Sequence, residues 1–291
     1  MKSSINFLAL FILVLIFGCT SPSENKKELA DSEYDTIVKF DEIDYLLPSP
    51  GEVFSLVKDQ GIKYNPSIVN PIGSPTDYSL HRNKAMNLGI YTADFSYLLI
   101  FEKQNEAMKY LYHTQELAQS LNVGDYFTDE FFNRLISNLS NPDSLKIISL
   151  EQSAMFFNRM VSVGNKDIAL LITTGAVIET VYISLNTVDE KRIDDKTVES
   201  IANLAVIFDN FFSYFSSMQA NDRGLSNLND DLQEIRDIFT SMYITQVSSS
   251  IRKGSDIVLT STLDHKISQY HIEKLKVKVS RTRNFIVSQK Y

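Results

Sequence analysis

Asp94 and Glu179 are the side chains best placed to do chemistry, because each is an acid set where acids are rare. Asp94 lies in Tyr91-Thr92-Ala93-Asp94-Phe95-Ser96-Tyr97, and Glu179 in Gly175-Ala176-Val177-Ile178-Glu179-Thr180-Val181-Tyr182. A carboxylate buried in such a run must pair with a cation or hold its proton. Arg159, beside Asn158 on an intervening amphipathic stretch, is the expected partner, and Arg82 the second choice. Together the three make either a salt bridge that fixes helix register or a polar pocket for a small ligand.

Other constellations fall short of a site. The histidines are His81, His113, His265 and His271, and the positions three before them are Tyr78, Tyr110, Thr262 and Ser268. Neither the His-Glu-x-x-His of a zinc helix nor the paired Glu-x-x-His of a di-iron bundle is present, so no metal and no cofactor is expected. The sequence also lacks a nucleophile elbow, a phosphate loop and a dinucleotide glycine fingerprint, so no catalytic residue is assigned.

The elements that must position Asp94 and Glu179 read as helices. Periodic segments run over Leu80 to Lys103, Asn105 to Leu121, Thr128 to Leu139, Pro142 to Val163, Asp167 to Leu185, Asp195 to Met218, Leu225 to Gln246 and Thr262 to Val287. Stop signals separate them, among them Asn122-Val123-Gly124, Asn141-Pro142 and Gly164-Asn165. Leu88 to Phe101 and Ile168 to Leu185 are apolar nearly all round, which marks central core helices. Only Ile251 to Ser261 hints at extended structure, and fits an ordered loop equally, while Thr36 to Leu47 fits a short helix or an extended arm equally well. Ser49-Pro50-Gly51-Glu52 can start a helix. From Gly61 to Asp77, Pro66, Pro71, Gly73 and Pro75 force a long loop, either functional or packed along the surface. Leu88-Gly89 suits the start of a tetratricopeptide repeat, but Thr92, Phe101 and Asn105 stand where that register needs Tyr, Ala and Phe. The expected fold is all-α: a non-repetitive multi-helix bundle or irregular helical solenoid over residues 36–291.

The start of the chain carries an address. Lys2 precedes an unbroken apolar run from Phe7 to Phe17, which ends in Ile16-Phe17-Gly18-Cys19. At about 11 residues the run suits a cleaved signal and is too short for a permanent span. The tetrapeptide resembles the lipobox of bacterial lipoproteins, which implies diacylglyceryl transfer to Cys19, cleavage between Gly18 and Cys19, and a fatty-acylated N-terminus. Residues 1–18 are then the signal peptide. Residues 19–35 are the lipidated cysteine and a polar, flexible tether. Thr20 is not the Asp that retains such proteins in an inner membrane, so the outer membrane is the expected location, with the domain in the periplasm or at the cell surface.

Composition narrows the partners. The chain has 28 basic and 36 acidic residues and a net charge of −8, one unit lower once Lys2 leaves with the signal. Nucleic acid is therefore not an expected partner. Cys19 is the single cysteine, so its lipidation leaves no thiol for a disulfide, a metal or a nucleophile. With no Trp, flat glycan-binding platforms lose support. Residues 266–291 run against the overall charge, with Lys266, Lys274, Lys276, Lys278, Arg281, Arg283 and Lys290 opposed by Glu273 alone. This basic C-terminal segment either pairs with the acidic body or meets anionic headgroups or an acidic partner.

The strings Leu88-Gly89-Ile90-Tyr91-Thr92-Ala93-Asp94-Phe95-Ser96-Tyr97 and Gly175-Ala176-Val177-Ile178-Glu179-Thr180-Val181-Tyr182 fit the patterns LG-x-Y-x-AD-x-SY and G-x-x-IE-x-x-Y. They resemble paired segments of helical lipoproteins from Bacteroidetes-type bacteria. The likeness runs from about Leu46 to Thr187 and implies an all-helical envelope protein with no particular reaction. The expected function is a membrane-anchored extracytoplasmic binding or scaffold module, with a protein or small molecule as partner. The alternative is an enzyme whose site combines Asp94, Glu179, Arg159 and nearby tyrosines under the Pro-rich loop as a lid.

Overall fold

The computed structural model describes residues 37–291 apart from 41–42, 47–50, 52, 55–57, 59–62, 73–77, 79, 127, 139–140, 219–224, 247–249, 254–255 and 260–261. The expected signal peptide at 1–18, with Gly18, and the expected lipidated cysteine and tether at 19–35 lie outside the described residues. Tyr34–Tyr291 forms one compact unit.

That unit is all-α and non-repetitive. Among the described residues the order is β1 (Ile37–Phe40), β2 (Ile43–Leu46), α1 (His81–Ile100), α2 (Gln104–Ser120), a 3₁₀ turn (Gly124–Tyr126), α3 (Asp129–Ser137), α4 (Pro142–Ser162), α5 (Lys166–Thr187), α6 (Asp195–Met218), α7 (Ser226–Ser241), β3 (Tyr243–Gln246), β4 (Ser250–Lys253), β5 (Asp256–Leu259), β6 (Thr262–His265) and α8 (Gln269–Val287). The helices begin and end where local chemistry allows. Thr128 accepts a hydrogen bond from the Phe131 amide at 3.2 Å, and Asn141 accepts one from the Ser144 amide at 3.1 Å, each satisfying an otherwise orphaned first-turn donor. Asn122 takes φ +59° after α2, and the Val123 amide donates back to Ala118 O at 2.9 Å, closing the left-handed helix stop.

Two boundaries differ from the sequence reading. Residues 243–246 leave the expected seventh helix and 262–265 leave the eighth, because these segments pair as strands. β3 runs antiparallel to β6 from Tyr243 opposite His265 to Gln246 opposite Thr262, and β4 pairs with β5 inside them. The chain thus leaves α7 through β3 and returns to α8 through β6, and within Ile251 to Ser261 the described residues 251–253 and 256–259 are extended, the first of the two readings of that segment. Ladder bonds to a partner strand outweighed a helical period in the β-branched and aromatic stretch Tyr243-Ile244-Thr245. Of the arm expected at 36–47, Ile37–Phe40 and Ile43–Leu46 are extended and pair antiparallel, with Ile37 opposite Leu46.

α1 and α5 form the centre. α1 packs on α5 and α2, α5 also meets α4, α6 and α8, and α7 closes on α6 and α8. By length and composition α5 could cross a membrane, yet its apolar window is 72% buried within the protein. The α1–α5 crossing is close enough to exclude a side chain. A Cβ on Gly89 would lie 2.0 Å from Ile172 O, and one on Gly175 would lie 1.8 Å from Met86 O. Gly89 faces Ile172 to Ala176, Met86 faces Gly175, and further along both helices Asp94 adjoins Glu179, so the two run in the same sense. Backbone contact here brings two side chains with long reach together inside the core.

Candidate functional site: a buried carboxylate pair under a polar strap

Asp94 and Glu179 are both 0% exposed, which demands that every oxygen be accounted for. Glu179 is held by Arg283 of α8. The Arg283 Nε donates to Oε2 at 2.8 Å and Nη2 donates to Oε1 at 3.0 Å, the parallel two-bond geometry that suits a guanidinium. The guanidinium also lies 4.9 Å from the Tyr182 ring centroid, where the ring face offers further stabilisation of the cation.

Asp94 is held from the other side by the loop. Asp94 Oδ2 accepts from the Asn70 amide at 3.1 Å, and Asn70 O accepts from the Tyr110 hydroxyl at 2.7 Å. Tyr91 donates its hydroxyl to Pro71 O at 3.3 Å, while the Tyr97 hydroxyl accepts from the Asn65 amide at 2.9 Å. Tyr64 stacks on Tyr97 with centroids 5.7 Å apart. Residues 63–72 therefore form a strap over Asp94, tied down through backbone groups by side chains of α1 and α2. Of the two readings of the Pro-rich loop, these residues take the packed one, directly above the acids.

The second Asp94 oxygen, Oδ1, faces no donor among the described residues. Burial, and next the charge of Glu179, push the Asp94 carboxyl well above the usual carboxylate range. A proton retained there supplies the missing hydrogen, because protonated Asp94 can donate to the adjoining Glu179 carboxylate. Burial also pushes Glu179 up, an effect opposed by Arg283 and by the Asp94 hydrogen bond. We assign the proton to Asp94 and the charge to Glu179, since only Glu179 has the guanidinium. The result is one net ion pair and one shared proton rather than two buried anions.

The expected partner of these acids was Arg159, and the structure replaces it with Arg283. Arg159 is exposed on the last turn of α4. A three-residue connection makes α4 and α5 antiparallel neighbours, which sets Arg159 level with the first turn of α5, about 15 Å short of Glu179 along the axis. Arg82 is half-buried, but at twelve residues before Asp94 on the same helix it lies about 18 Å away. Arg283 carried a signal of its own. It stands four residues after Val279 and three before Ile286, within the apolar arc of α8, where an exposed basic residue would not fall. Asn70 and Tyr110 left no comparable trace, since an amide and a carbonyl are present at every loop position.

A second polar cluster flanks the strap. His113 is 6% exposed, with its ring edge-on to Tyr91 at 4.4 Å, and burial pushes its pKa below the ordinary histidine value. Among the described residues, no three His, Cys, Asp or Glu side chains are grouped to hold a metal. Chemically, the carboxylate pair is committed to internal bonds: it ties the strap, α1, α5 and α8 together at one point. In comparisons with known proteins, no family profile, no curated protein and no solved structure matches the chain.

Proposed function

We propose that the protein is a lipid-anchored component of a bacterial cell envelope whose helical body acts as a binding or scaffold module. The observation that carries this reading is the N-terminal string, in which Lys2, the apolar run Phe7 to Phe17 and Ile16-Phe17-Gly18-Cys19 follow in the order a lipoprotein signal requires. The acyl chains on Cys19 hold the protein to its membrane, the polar tether after Cys19 links them to the helical body, and Thr20 favours the outer membrane. The body supports a binding role through its surface. Its central acids and arginine are bonded to one another and to the strap, which leaves contacts with a protein or small-molecule partner to the exterior.

Metabolic labelling with a fatty acid tests the anchor. The parent chain incorporates label and fractionates with membranes, and Cys19→Ala does neither and accumulates at the length of the uncleaved precursor. Equal labelling of both would reject the reading.

A further inference from the structure

We propose that the outward face of α8 is a docking surface for anionic lipid headgroups, which lays the body against the membrane that holds its anchor. This rests on the Cys19 reading in one respect, that the anchor brings the face within reach.

The argument begins with how α8 uses its cations. Lys276 binds Glu190 and Val188 O, Lys278 binds Asp231 and Glu234, and Arg283 binds Glu179. Those three are spent inside the acidic body. Lys274 and Arg281 are exposed and have no ion pair among the described residues. They share one row with Tyr270, Val277, Asn284 and Ser288, whose alternating steps of four and three residues keep them within an arc of about 80°. No acid falls on this row, although acids outnumber bases in the chain, 36 to 28. Glu273 lies at its edge and accepts a hydrogen bond from Gln269.

The apolar members of the row are displayed. Tyr270 is 66% and Val277 70% exposed. Beside them, Arg281 and Lys290 each hold a cation 5.2 Å from the Phe285 ring, at the margin of an open groove lined also by Val277, Ser280 and Asn284. Cations interleaved with an aromatic and an aliphatic side chain match a membrane interface, where the charges reach phosphates and the apolar groups sink between headgroups. An acidic protein surface would satisfy the charges and leave Tyr270 and Val277 without a place. From 270 to 288 the row is about 27 Å long, so α8 would lie flat. At about 1 kcal/mol for each of three exposed cations, the body by itself binds anionic vesicles at lipid concentrations on the order of millimolar, within reach of a vesicle titration, and a body tethered by Cys19 meets the surface at a high effective concentration that holds it there.

The chain contains no Trp, so Tyr270→Trp places a single reporter on the proposed face. The test uses residues 20–291, which lack the signal and Cys19 but keep the whole core, since Tyr34–Tyr291 is a compact unit in itself. Vesicles of phosphatidylcholine alone are compared with vesicles containing about one part in three phosphatidylglycerol. The expected result is a blue shift of the reporter with the anionic vesicles only, weakened by salt. Adding Lys274→Glu and Arg281→Glu should raise the lipid concentration needed at least about tenfold. If that variant melts early, Lys274→Gln with Arg281→Gln replaces it. No preference for anionic vesicles, or equal binding by the charge variants, overturns the proposal. A reporter that ignores vesicles and responds to polyglutamate overturns it in favour of an acidic protein partner. Fatty-acid labelling at Cys19 reads the anchor independently, so the two ideas fail separately.

Discussion

Arg283 is the residue on which the buried network depends, because removing it leaves the Glu179 charge in the core with no counterion. Arg283→Met alone should cost about 3 to 5 kcal/mol, while Arg283→Met combined with Glu179→Leu should cost much less; urea denaturation of both variants checks this. Asp94 makes a prediction of opposite character. Its folded pKa is raised, so its proton is bound more tightly in the native state than in the unfolded one. The stability it confers is complete below the ordinary carboxylate pKa of about 4 and is lost as pH climbs towards the raised folded value. The denaturation midpoint of the parent should therefore fall across mildly acid to neutral pH. Asp94→Asn, which carries a hydrogen-bond donor without titrating, should flatten that slope. An equally steep slope in the Asn variant would place the shared proton elsewhere.

At the scale of elements, the α1–α5 crossing decides where the network can form. Alanine is a better helix former than glycine by about 1 kcal/mol, so an open site would gain from Gly89→Ala. Here the new Cβ meets backbone of α5 at 2.0 Å, and a helix backbone cannot yield as a side-chain tip can. Gly89→Ala should therefore destabilise by about 3 kcal/mol or more, read from thermal melting. The strap depends on weaker ties. Tyr110→Phe removes the bond to Asn70 O, about 1 kcal/mol in global stability, and should speed hydrogen exchange at the strap amides ahead of the helices. Unchanged exchange at Asn70 would mean that Asp94 and the tyrosines Tyr91 and Tyr97 hold the strap without Tyr110.

Across the whole molecule, charge and core meet in α8. The body is acidic, and α8 returns cations to it through Lys276, Lys278 and Arg283 while Ile272, Leu275, Val279 and Ile286 fill the core. A chain stopped after His265 should lose cooperative unfolding by calorimetry, since it loses both a core face and the Glu179 counterion. Most of the helices were legible beforehand because a 3.6-residue apolar period, Pro at a first turn and Asn or Gly at a stop are local facts. The acids too were legible: Asp94 and Glu179 stand out from apolar runs, and a buried acid must be neutralised whatever the fold. Which cation would do it was beyond local reading. Arg283 lies 104 residues from Glu179, and only the packing of α8 against α5 brings them together. The same holds for the strap, where side chains of α1 and α2 bond backbone groups that every loop residue carries, and for the paired strands between α7 and α8, whose ladder bonds join backbone to backbone. Sequence alone determined the helical period and the need for a partner inside the core, because both follow from residue type and spacing. Tertiary structure decided the partner itself, because that depends on which distant helices the close α1–α5 crossing at Gly89 and Gly175 allows to meet.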